Sequence, residues 1–87
     1  MKLKDGYVLR EVAGNHVVVP TGKAALDFSG MITLNGTAAF LWHQLSREKT
    51  EQELLSSLLE EYEIGEATAR TDISEFLAKL KAADLFE

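Results

Sequence analysis

The sequence predicts an α+β domain, a three-stranded antiparallel sheet followed by three helices. Three observations carry this. Runs of β-branched and aromatic residues are confined to the front, as in Tyr7-Val8-Leu9-Arg10-Glu11-Val12 and His16-Val17-Val18-Val19. Apolar residues recur at helical spacing only from Asn35 onward. A Gly14-Asn15 pair separates the two front runs, and both residues tolerate positive φ, so it reads as a tight hairpin.

Pro20 lacks a backbone donor and closes the second strand. Thr21-Gly22-Lys23 continues as a turn, and residues 24–30 are ambiguous. Gly30-Met31-Ile32-Thr33-Leu34 reads as a third short strand. A sheet this small needs helices packed on one face. The first helix begins near Asn35, a strong N-cap, and Ala38, Leu41, Trp42 and Leu45 form its apolar stripe. Phe40 widens that stripe or faces the sheet. Thr50-Glu51-Gln52-Glu53 is a capping box, followed by the stripe Leu54, Leu55, Leu58, Leu59 and Tyr62, which Ile64-Gly65 ends. The third helix runs from about Glu66 to about Ala83. Its core face is Ala69, Ile73, Phe76 and Leu80, and Arg70, Ser74, Leu77 and Lys81 lie one position round on a mixed face. Leu85-Phe86 should fold back on the core, because a frayed end would leave apolar area in water.

The 87 residues make one domain, 1–87, with a feasible but marginal core. No apolar run approaches the ~20 residues of a membrane helix. The N-terminus lacks a signal-peptide pattern, so a cytoplasmic protein is expected. Cysteine is absent, which removes disulfides, thiol nucleophiles and thiolate metal sites. His16 and His43 lack the partner spacing of a metal site or a general base. No nucleophile elbow, dinucleotide fingerprint or phosphate loop is present. The chain therefore reads as a non-enzyme without a cofactor. The net charge of −5 divides into +2 over residues 1–47 and −7 over residues 48–87. An acidic helical half is the wrong sign for binding phosphates.

The segment from Gly30 through Leu34-Asn35-Gly36-Thr37-Ala38-Ala39-Phe40-Leu41-Trp42 resembles the hallmark segment of the PqqD family, the pyrroloquinoline quinone biosynthesis protein D family. Residues 49–54, 72–77 and 80–85 resemble that family's second and third helices. The resemblance implies a winged-helix-like fold and a peptide chaperone. Such a domain binds the leader of a ribosomally synthesised precursor peptide and presents it to a modifying enzyme, often a radical S-adenosylmethionine enzyme. The leader would add as a strand beside the third strand and pack on the third helix. The binding residues so implied are Met31, Ile32, Thr33 and Leu34 on the strand, with Arg70, Ile73, Ser74, Leu77 and Lys81 on the helix. Strand addition suits an edge whose amides and carbonyls are unpaired.

Two other functions fit the same order of elements. One is a winged-helix DNA-binding domain, which the mixed charge of the third helix disfavours. The other is an assembly domain that docks to an enzyme without a leader groove. An open sheet edge would also let the protein be either a monomer or a homodimer.

Overall fold

The computed structural model describes residues 1–22 and 32–87. Strands β1 (Tyr7–Val12), β2 (Asn15–Pro20) and β3 (Ile32–Leu34) precede helices α1 (Gly36–Gln44), α2 (Glu51–Glu61) and α3 (Glu66–Ala82). The sheet is antiparallel in the order β1-β2-β3, and the whole is the winged-helix-like α+β arrangement expected. The ambiguous residues 24–30 and the expected strand residue Met31 lie outside the described residues.

The hairpin turns one residue earlier than the sequence suggests. Ala13 and Gly14 are its two central residues, at φ 52° and 81°, and Asn15 opens β2 opposite Val12. Two positive φ values in a two-residue loop make the twist of a primed turn match that of the strands. Asn15 attracts the assignment because Asn suits this geometry better than Ala does. The pairing of Val12 with Asn15 fixes the register, and the register leaves Ala in the unfavoured place.

The helices start where their caps dictate. The Asn35 side chain accepts from the Ala38 amide at 2.8 Å. At α2 the Glu53 amide donates to the Thr50 hydroxyl at 3.1 Å, and the Thr50 amide donates to the Glu53 carboxylate at 2.9 Å. The α2 helix stops at Glu61 with Tyr62 as its C-cap, and Gly65 serves as N-cap of α3. Phe40 is partly buried against the core. It packs edge-on against Tyr62, with ring centroids 5.6 Å apart, and so ties α1 to the end of α2.

At the end of α3 the Asp84 amide donates to the Lys81 carbonyl and the Leu85 amide to the Leu80 carbonyl, each at 3.0 Å. This is a Schellman motif with Asp84 at its left-handed position, φ 57°. The motif turns Leu85 onto Leu80, and both are fully buried. Phe86 then bridges to Leu3, joining the two ends of the chain. One core gathers Val18 and Leu34 from the sheet, Leu41 from α1, Leu54 and Leu58 from α2, and Ile73 and Leu80 from α3.

Candidate functional site

The hairpin register determines what β3 exposes. In an antiparallel pair, residues alternate between exchanging both hydrogen bonds and exchanging none. A two-residue turn makes the closing pair Val12–Asn15 a bonded one, so Val17 also spends its backbone on Arg10 of β1. His16 and Val18 then turn their backbones towards β3, opposite Leu34 and Ile32. Thr33, opposite Val17, is left with its N–H and C=O directed away from β2, at the free side of β3. No described strand covers that side.

Side chains alternate as the pleat requires. Leu34 is buried, Ile32 is half-buried against the core, and Thr33 is exposed. Beside this edge lies a shallow groove of about 100 Å³. Leu34, Ala38 and Phe76 give it an apolar floor, while Asn35, Thr37, Asp72, Glu75 and Lys79 give it a polar rim. The α3 contributors fall at i, i+3, i+4 and i+7, which is one stripe of the helix. Lys79 crosses the groove, and its ammonium donates to the Thr33 carbonyl at 3.0 Å. The one outward-directed carbonyl of the described strand is therefore occupied by a side chain from α3.

The expected helical wall lies elsewhere. At roughly 100° per residue, Arg70, Ser74 and Lys81 sit on nearly the opposite side of α3 from Asp72, Glu75 and Lys79. Arg70, Ile73 and Ser74 instead line a cleft of about 220 Å³ with Glu51, Gln52 and Leu55 of α2. Arg70 is paired with Glu66 at 3.1 Å, the favoured i to i+4 order of acid before base. Ile73 and Leu77 are buried in the core, as are Leu34 and Phe76 of the groove, and Lys81 is exposed to solvent. The physical reason is that a core stripe has two flanks. Helical spacing identifies the stripe but leaves open which flank the docking of α3 turns towards β3. Lys79, Asp72 and Glu75 were not among the expected residues, although they form the other flank of the same stripe.

Trp42 is buried and lines a different recess with Leu3, Tyr7 and Leu45. It is placed to report on the packing of the N-terminal segment rather than on the β3 groove. Among the described residues there is no group of three His, Cys, Asp or Glu side chains able to hold a metal. No helix among them is long and apolar enough to cross a membrane.

The family model described as coenzyme PQQ synthesis protein D (PqqD) matches residues 15–85. A comparison with curated protein sequences gives no match. Among solved structures, TbiB1 in complex with the TbiA(beta) leader peptide is similar at 22% identity and a TM-score of 0.74, covering 100% of this chain and 95% of that one. Lasso peptide synthetase B1 complexed with the leader peptide is similar at 20% identity and a TM-score of 0.69, covering 97% and 93%.

Proposed function

The chain belongs to the PqqD family, and on that premise we propose that it is a leader-peptide recognition domain that binds by strand addition at β3. The observation that carries this is the backbone of Thr33, aimed at an edge that no described strand covers, beside a groove with an apolar floor. An extended peptide would exchange hydrogen bonds with Thr33 and set alternate side chains over Leu34 and Phe76. Asp72 and Glu75 on the rim favour a basic leader residue at that point. The two solved proteins described above were captured with leader peptides, which supports this reading.

The domain acts without catalysis of its own and delivers the bound precursor to a modifying enzyme. We take that enzyme to be a radical S-adenosylmethionine enzyme, as the family resemblance implies. The α2–α3 cleft with Arg70, Ile73 and Ser74 lies on the other flank of α3 from the proposed leader groove, as does exposed Lys81. A cytoplasmic setting goes with that role.

The test uses synthetic peptides of the precursor leader encoded beside the gene, unmodified or N-methylated at alternate residues in each of the two registers. Strand addition predicts that one N-methylated register binds about tenfold or more weakly, since each lost hydrogen bond is worth about 1 kcal/mol. The other register should bind as the unmodified leader does. Amide shifts should cluster at residues 32–34 and 72–79. Equal binding of both registers, or shifts confined to Arg70, Ser74 and Lys81, would reject the edge.

A further inference from the structure

We propose that Lys79 is a displaceable guard of the β3 edge, competing with any incoming strand for the Thr33 carbonyl. The proposal rests on the recognition reading only for the identity of the strand that displaces it. The geometry states the conflict directly. The Lys79 ammonium lies 3.0 Å from the oxygen that a new strand must use as its first acceptor. One carbonyl can accept twice, so the conflict lies in the ammonium already holding this oxygen and in its side chain lining the groove beside the same edge.

The guard also has somewhere to go. Glu75 lies one turn earlier on the same rim of the groove. A glutamate four residues before a lysine is the favoured orientation for an ion pair on a helix. Glu75 therefore offers Lys79 a second partner once it leaves Thr33. The Lys79 side chain is exposed, so movement between them does not require the core to open. A single exposed hydrogen bond is weak enough to yield to a peptide that makes several. It is still sufficient to disfavour a partner that offers only a short, poorly matched strand, such as the β3 edge of a second copy. Lysines on edge strands commonly serve that purpose, but here the lysine comes from a helix and reaches the edge from outside the sheet.

The test is Lys79→Met, which keeps the stem of the side chain and removes the donor. Two readouts are taken on the full chain. In sedimentation velocity over a rising concentration series, wild type should stay monomeric and K79M should self-associate. The double variant K79M with Thr33→Pro, which removes the edge donor, should return to monomer. In titration with the unmodified synthetic leader, K79M should bind about 3- to 10-fold more tightly than wild type, the factor expected for one competing hydrogen bond. Weaker leader binding by K79M would overturn the guard and make Lys79 a direct leader contact. A K79M protein that stays monomeric and binds the leader as wild type does would overturn it as well, while leaving the recognition reading intact. If no variant binds the leader but K79M self-associates through Thr33, the guard stands and the recognition reading falls.

Discussion

Ala13 holds a backbone conformation that its side chain disfavours. At φ 52° the Cβ crowds the following carbonyl, at a cost of about 1 kcal/mol. Asparagine tolerates this region and, before Gly14, completes the most favoured pair for such a turn. Ala13→Asn should therefore raise stability by about 0.5–1 kcal/mol and the melting temperature by about 3–6 °C. Thermal unfolding checks it, and an unchanged or lower melting temperature would show that the turn is not held as described. The same residue scale shows what a sequence reveals. Asn35, Thr50 and Glu53 are legible because each cap acts on an amide three residues away. Lys79 is not, because its partner is 46 residues distant and no spacing rule connects the two. The shifted turn is a case between these. The hairpin itself is evident from composition, but its position depends on which residues pair, and Gly14 can occupy either half of a turn.

The capping box of α2 gives the fold a pH-dependent element. The Thr50 amide donates to the Glu53 carboxylate, and this hydrogen bond is the main cause holding its pKa below the usual carboxylate value. A carboxyl group depressed in the folded state stabilises it fully above the unfolded pKa. That contribution disappears as pH falls through the lowered folded value. Glu53→Gln keeps an acceptor for the Thr50 amide and removes the charge. Wild type should thus melt above E53Q at neutral pH, with the gap closing in acid below the ordinary carboxylate range. Paired melting curves at the two pH values measure it, and a gap independent of pH would show that the charge has no part in the cap. The element scale also sets the limit on reading the site. The core stripe of α3 is plain from Ala69, Ile73, Phe76 and Leu80, all buried as expected. Whether Arg70 or Lys79 looks towards β3 depends on how the helix rolls on the sheet, which is decided by packing between elements distant in sequence. The strand Ile32–Leu34 of the candidate site was legible as a strand because a short β-branched run before an N-cap has few other interpretations.

At the scale of the whole molecule, the ends of the chain close the fold. Leu85 is fully buried, is fixed by the Schellman motif after α3, and is followed by the bridge from Phe86 to Leu3. Domains have roughly 0.05–0.15 kcal/mol of stability per residue, which for a chain of 87 residues is about 4–13 kcal/mol. Truncating a buried leucine costs about 2–5 kcal/mol, part transfer and part cavity. Leu85→Ala should therefore remove a large share of the total and lower the melting temperature by about 10–20 °C. The loss would be felt first at the end of α3, since Leu85 secures the turn that stops the helix. Lys79 lies in that last stretch, so its hold on Thr33 should loosen before the groove floor of Leu34 and Phe76 does. Hydrogen exchange resolves the order. In L85A the amides of Ala83, Asp84 and Leu85 should exchange fastest, while those of Ile73 and Phe76 stay protected until global unfolding. Uniform acceleration along α3 would mean that the helix end and the groove open as one unit. In that event the closing of the chain ends and the positioning of the guard would be a single cooperative property of the domain.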